Sequence, residues 1–145
     1  MEPDFDRSTR GATADEVPDA FRTALEEHAA LVGFEGPVLS GARATAVTDS
    51  TPRRKRLLRR TRAHVTWMVV GADALAVVSD ASGAPVASLY RLAELEAKTF
   101  SSPLVRDEGL DVMALPVGGS ERASVFLPLA PGRARDEIAG ALALA

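Results

Sequence analysis

The chain contains no cysteine, which excludes disulfide bonds and thiolate metal sites. It also contains no apolar run near the roughly 20 residues that a membrane-spanning helix needs. Aromatic residues make up only 5% of the sequence, too few for the stacking platforms that bind single-stranded nucleic acids. The N-terminus is polar and acidic, unlike the basic and then apolar start of a signal peptide. The lack of a membrane-spanning run and of a signal-peptide pattern predicts a cytoplasmic protein.

The remaining composition is typical of one globular domain. The 145 residues are 46% hydrophobic and 26% charged, and a chain of this size can bury a substantial core. Residues 1–12 contain few apolar side chains, so we predict a disordered tail there. The interpretation is therefore a short tail followed by a single domain over residues 13–145.

Helical periodicity is confined to the two ends of that domain. Apolar residues at helical spacing near the start are Val17, Phe21, Leu25, Leu31 and Val32. Gly33 follows them as a stop signal, so we predict an N-terminal helix within residues 13–34. A second amphipathic pattern after Pro131 predicts a C-terminal helix over residues 132–145.

Between the helices, residues 38–130 alternate apolar and polar side chains over short segments separated by turn-forming residues. In the clearest case, segment 62–70, Trp67 and Val69 share one face and Met68 lies on the other. The predicted strands are residues 42–48, 62–70, 74–79, 86–92, 94–100, 110–117 and 123–129. The expected fold class is α+β, mainly β, with about seven antiparallel strands.

Seven short strands followed by one C-terminal helix resemble the pleckstrin-homology-like superfold. The resemblance covers residues 38–145 and depends on the order of the elements. It implies a bent, antiparallel, two-sheet barrel with the C-terminal helix at one open end. The N-terminal helix is an addition to this pattern, positioned to cap the barrel or to contact a partner.

A basic segment is the strongest functional signal in the sequence. Residues 53–62 contain seven of the 17 basic residues, although the net charge of the chain is −3. These seven are Arg53, Arg54, Lys55, Arg56, Arg59, Arg60 and Arg62. In lipid-binding members of the superfold, phosphate is bound by a basic residue on the first strand and by a [KR]-x-R pair that opens the second. Arg43 and the pair Arg60 and Arg62 match this pattern, so the resemblance implies that these three side chains grip a phosphate.

The charges predict a non-enzymatic module that binds an anionic partner, most simply a membrane surface to which the protein attaches peripherally. Leu57 and Leu58 interrupt the charges and are candidates for an apolar tip that enters the membrane interface. The alternative without a ligand is a solvated loop, or a loop neutralised by the protein itself. Residues 1–35 contain nine acidic and three basic residues, enough to cover it.

Two other partner classes stay open. Barrels of this superfold resemble peptide-binding domains in which a ligand strand is added beside an exposed strand edge. The N-terminal helix is in addition a candidate surface for homo-oligomer formation. The same arginines also suit the phosphate backbone of duplex nucleic acid, which needs charge rather than aromatic rings.

No catalytic constellation accompanies the basic segment. The chain has only two histidines, His28 and His64, and lacks the HExxH or EF-hand spacing of metal sites. It has no GxSxG nucleophile motif, and Gly118 and Gly119 do not precede a helix as a phosphate-cradling loop would. The sequence therefore predicts no catalytic residue, no metal and no cofactor.

Overall fold

A computed structural model describes residues 5–52, 62–97 and 109–142, which form an α+β fold that is mainly β. The strands are β1 Phe5–Ala12, β2 Ala44–Pro52, β3 His64–Val70, β4 Ala74–Ser79, β5 Val86–Arg91, β6 Glu96–Ala97, β7 Gly109–Ala114 and β8 Ala123–Pro128. The α-helices are α1 Asp19–Leu31 and α2 Arg133–Ala141, and short 3-10 turns span Ala14–Glu16 and Leu92–Glu94. The predicted fold class is confirmed at this level.

The described strands form two antiparallel sheets. One has the order β1-β2-β3-β4-β5, and the other has the order β6-β7-β8. They meet along β5, where the Val117 N–H donates to the Leu89 carbonyl at 2.9 Å. On the far side, the Ala130 N–H donates to the Thr9 hydroxyl at 2.7 Å. Because one contact is a short bridge and the other uses a side chain, the described strands do not close into a barrel.

The five-stranded sheet is the middle layer of the domain. As predicted, Trp67 and Val69 on β3 lie on one face, where they pack with Leu25 of α1. Met68 lies on the other face and packs with Leu127 of β8 and Ile138 of α2. Strand β3 is therefore buried on both sides, and the two hydrophobic clusters share it.

The N-terminal segment corrects one prediction, because residues 5–12 form strand β1 rather than a disordered tail. This strand pairs with β2 from Phe5↔Pro52 to Ala12↔Thr45. The Arg7 guanidinium lies 5.2 Å from the centre of the Phe126 ring, and its Nε donates to the Ser50 hydroxyl at 3.2 Å. Backbone pairing and cation–π contact hold the segment in place, so its low apolar content is no obstacle to order.

Strand β2 also differs from its prediction. The predicted strand ends at residue 48, but β2 continues to Pro52 because β1 supplies pairing partners for residues 49–52. Of the predicted strand 94–100, the structure describes a two-residue strand at Glu96–Ala97, and residues 98–100 lie outside the described residues.

Helix α1 lies within the predicted span 13–34. Its buried residues are Phe21, Leu25 and Ala29, which recur every four positions along one face. Leu31 was expected on this face but is 81% exposed. It follows Ala29 by two residues, and two residues turn an α-helix by more than half a revolution.

The stop predicted at Gly33 is confirmed by the end of α1. The Phe34 N–H donates to the Ala29 carbonyl at 2.8 Å, and the Gly33 N–H donates to the Ala30 carbonyl at 3.3 Å. This pair of bonds is a Schellman motif, which requires a left-handed residue after the C-cap. Gly33 meets that requirement with φ of 72°.

Substitution of Gly33 and of Gly140 measures the effect of backbone conformation on stability without an effect of packing. A Cβ added at Gly33 or at Gly140 in α2 would have no neighbouring atom within 4 Å. We expect Gly33→Ala to lower the free energy of unfolding by about 1–2 kcal/mol because its φ is positive. Gly140→Ala should raise it by about 0.5–1 kcal/mol because alanine favours a helix. Urea unfolding of both variants measures this difference, and equal effects of the same sign would contradict it.

Candidate anion-binding surfaces

The basic segment joins β2 to β3 at one end of the five-stranded sheet. Pro52 is the last residue of β2 and His64 is the first residue of β3, so the chain leaves and re-enters the sheet at the same end. We call this the β2–β3 loop end. The predicted site residues that lie outside the described residues are Arg53, Arg54, Lys55, Arg56, Leu57, Leu58, Arg59 and Arg60.

Arg62 is the member of the basic segment that the structure describes. It is exposed, and its Nη1 lies 3.6 Å from the position that a Cβ on Gly83 would occupy. Gly83 belongs to the turn between β4 and β5, so the guanidinium lies against that turn. The Arg62 carbonyl is 3.2 Å from Nδ1 of His64. Arg62 therefore presents an exposed guanidinium beside the β4–β5 turn.

Arg7 is a second arginine at this end, and the sequence interpretation missed it. Its guanidinium lies 5.1 Å from the centre of the Phe5 ring, and the Phe5 ring packs edge-on against His64 at 5.2 Å. Position 7 was assigned to a disordered tail, so no role was predicted for it. Phe5 is the only large apolar side chain in residues 5–12, so this segment lacks the apolar–polar alternation that would indicate a strand.

One carboxylate at this end has a structural role. The Asp80 carboxylate, at the start of the β4–β5 turn, accepts a hydrogen bond from the Val65 N–H at 2.8 Å. That bond ties the turn to the beginning of β3, close to Arg62. The turn is therefore held in a fixed position beside the exposed guanidinium.

Arg43 does not join Arg62, which corrects the predicted three-residue grip. It precedes Ala44, which pairs with Val70, whereas Arg62 precedes His64, which pairs with Ser50. Ala44 and Ser50 are six residues apart, or about 20 Å at roughly 3.3 Å per residue. The sequence places Arg43 beside the first strand of the meander, but the register decides which end it occupies.

The three acidic residues of helix α1 form no ion pair with Arg62, the described member of the basic segment. Helix α1 packs its apolar side over β4 and β5. Its acidic residues Asp19, Glu26 and Glu27 are exposed and form no ion pair with any described residue. These three carboxylates therefore supply no counter-charge to Arg62.

Glu16 is the acidic residue in this region with a defined role. It accepts a hydrogen bond from the Thr13 N–H at 2.7 Å and pairs with Arg10 at 3.3 Å. The backbone bond, followed by the arginine, lowers the pKa of the Glu16 carboxyl. At pH values above its lowered pKa, the charged Glu16 carboxylate therefore holds the connection between β1 and α1 in place.

Neither α-helix in the described part of the chain has the length and apolar character needed to cross a bilayer. Within the same residues, no cluster of three or more histidine, aspartate or glutamate side chains is arranged to hold a metal ion.

Comparison of the chain with protein-family models, with curated proteins and with solved structures finds no match in any of the three. The inference of function therefore depends on the residues described above.

Proposed function

We propose that the chain is a non-enzymatic, pleckstrin-homology-like binding module that attaches to an anionic membrane surface through the segment between β2 and β3. The element order supports this assignment. Strands β2 to β5 form a four-stranded meander, β6 to β8 form a second sheet, and α2 ends the domain. Strand β1 and helix α1 are additions to that pattern.

The observation that carries the proposal is the concentration of charge at one end of the sheet. Seven of 17 basic residues lie within residues 53–62, and Arg62 presents an exposed guanidinium beside the β4–β5 turn. Each basic residue near an anionic leaflet contributes about 1 kcal/mol, so half of them give a useful but salt-sensitive attachment.

The residues have different roles in this proposal. Arg60 and Arg62 bind lipid phosphate, because a planar guanidinium forms paired charge-assisted hydrogen bonds with phosphate oxygens. Leu57 and Leu58 enter the membrane interface. The remaining basic residues supply diffuse attraction and are Arg53, Arg54, Lys55, Arg56 and Arg59. The protein then functions as a peripheral module on the cytoplasmic face of a membrane.

Vesicle co-sedimentation at physiological salt tests the proposal. We expect pelleting with anionic vesicles and not with neutral vesicles. The triple variant Arg59/Arg60/Arg62→Glu should weaken binding by more than about 100-fold, since each lost charge contributes about fivefold. Binding should also weaken as salt rises. Absence of pelleting with anionic vesicles would overturn the proposal.

Two single variants with the same net charge separate the effect of a residue's position from the effect of total charge. Arg62 and Arg91 are both exposed, but Arg91 lies at the opposite end of the sheet, where it pairs with Ala74. Arg62→Glu should reduce vesicle affinity by about fivefold or more, whereas Arg91→Glu should leave it within about twofold. Equal losses would mean that the total charge, and not this end of the sheet, determines binding.

Duplex DNA is included as a competitor in the same assay, since phosphates of either source attract these arginines. Binding to duplex DNA without binding to anionic vesicles would make the nucleic-acid backbone the partner and would contradict the membrane proposal.

A further inference from the structure

A groove at the opposite end of the sheet contains two arginines that the basic segment does not include. It lies between the β1–α1 connection, the first turns of α1 and the residues that lead into β2, and has a volume of about 630 Å³. Arg22 and Arg43 both line it, together with the hydroxyl residues Thr13 and Ser40. Small-molecule sites in proteins usually have volumes of about 300–1,000 Å³ and a few convergent polar groups.

Main-chain carbonyl groups hold both guanidinium groups in place. Arg22 Nη2 donates to the carbonyls of Ala14 at 3.3 Å, Asp15 at 3.5 Å and Val17 at 3.5 Å. Arg43 Nε donates to the carbonyl of Gly71 at 3.2 Å. These bonds orient the side chains before any ligand arrives, and an immobilised donor loses less entropy on binding.

Among the described residues, no ion pair cancels the positive charges of these two arginines. Arg10, Arg122 and Arg133 each contact a carboxylate at 3.0–3.3 Å. Arg22 and Arg43 form no ion pair with any described residue, because their partners are neutral carbonyls.

A carboxylate also lines the groove, since Asp15 is among its residues. The Asp15 side chain is exposed, and the contact between Asp15 and Arg22 uses the backbone carbonyl of Asp15. Two arginines and one aspartate therefore line the groove, and the Nη donors of Arg43 form no hydrogen bond with a described residue.

We propose that this groove is a second anion site, which binds the phosphate or carboxylate group of a small molecule. Arg43 contacts the oxyanion, and Arg22 supplies charge while it fastens the β1–α1 connection. A planar guanidinium suits both oxyanions because its N–H groups match pairs of their oxygens. The site is about 20 Å from Arg62, so it does not depend on the proposed membrane contact.

A titration of the ¹⁵N-labelled full chain tests this site. Inorganic phosphate is added in one arm and acetate in the other, with chloride adjusted to keep the ionic strength constant. We expect saturable shifts of the backbone amides of Gly41, Ala42 and Arg43 and of the Arg43 Nε–Hε signal. The arm with the tighter saturation identifies the preferred oxyanion.

Variants assign the contact to Arg43. Arg43→Gln should weaken the preferred ion by about 10-fold or more, the ratio expected for a charge-assisted hydrogen bond. Arg43→Lys keeps the charge and should lose less, and Arg91→Gln serves as the matched control with an unchanged titration. If Arg43→Gln does not fold, the shifted amides of the unaltered chain still show whether the ion binds at the groove.

Unsaturable shifts in both arms, or an unchanged titration in folded Arg43→Gln, would overturn the second site. Either result leaves vesicle binding through Arg62 unaffected, so the two proposals fail separately. Saturable shifts at the groove in a protein that does not pellet with vesicles would support the second site and contradict the membrane proposal alone.

Discussion

Removal of residues 1–12 is expected to unfold most of the domain. The truncation removes the eight-residue strand β1 and makes β2, which stays paired with β3, the edge strand of the sheet. It also exposes the side chains of Thr48 and Ser50, which are less than 2% accessible in the intact chain. Backbone hydrogen bonds contribute about 0.5–1.5 kcal/mol each, so the loss along this strand approaches the 5–15 kcal/mol of a typical domain.

Circular dichroism and urea unfolding of residues 13–145, beside the full chain, measure this effect. We expect lost or strongly reduced cooperative unfolding in the shortened chain. The comparison distinguishes an ordered strand β1 from a disordered tail, because removal of a disordered tail would leave the urea midpoint unchanged. An unchanged urea midpoint would show that residues 5–12 are dispensable and that β1 is not a stable part of the sheet.

Leu25→Ala is expected to lower the free energy of unfolding by about 2–5 kcal/mol, the usual range for a fully buried leucine. The side chain is completely buried in the cluster that also contains Trp67 and Leu89. Truncation leaves a cavity between α1 and the five-stranded sheet. The melting temperature should fall by about 4–20 °C, since each kcal/mol shifts a domain of this size by roughly 2–4 °C.

The same substitution on the exposed side of the helix is the matched control. Leu31→Ala changes a residue that is 81% exposed and should alter stability by less than about 0.5 kcal/mol. Both variants lose the same atoms from α1, so their difference reports burial alone. Similar losses in the two variants would mean that α1 does not pack on the sheet through Leu25.

Local patterns in the sequence were sufficient for the central elements. The residues of β3 alternate between two faces, and this alternation predicted that Trp67 and Met68 lie on opposite faces, where they enter different clusters. Gly33 predicted the end of α1 because a left-handed position favours glycine whatever the rest of the fold does. Such features depend on a few neighbouring residues.

Strand β1 was not predictable in this way. Its order depends on pairing with β2, which begins more than 30 residues later, and on Phe126, which is distant in sequence. The misplacement of Leu31 has a more local origin, since the apolar residues of α1 fit more than one helical stripe. Packing on β4 and β5 selects the stripe through Leu25.

The candidate sites also combine features that the local sequence predicts with features that depend on the fold. The charge density of residues 53–62 is visible in the printed sequence, and it predicted Arg62 as an exposed basic residue. The sequence also identified Arg43 but assigned it to the wrong end of the hairpin. Arg22 lies on a helix and carries no motif, so only the fold brings it to the groove beside Arg43.

The pairing of β2 with β3 makes the connection between them replaceable. Seven consecutive residue pairs, from Ala44↔Val70 to Ser50↔His64, set the register through buried residues such as Val47 and Met68. The entropy of closing a flexible loop rises by only about 0.6 kcal/mol for each doubling of its length. The segment 53–61 can therefore accept insertions, deletions or exchanged residues without a change in the register of β2 and β3. An engineer can use the same position to graft a foreign binding loop.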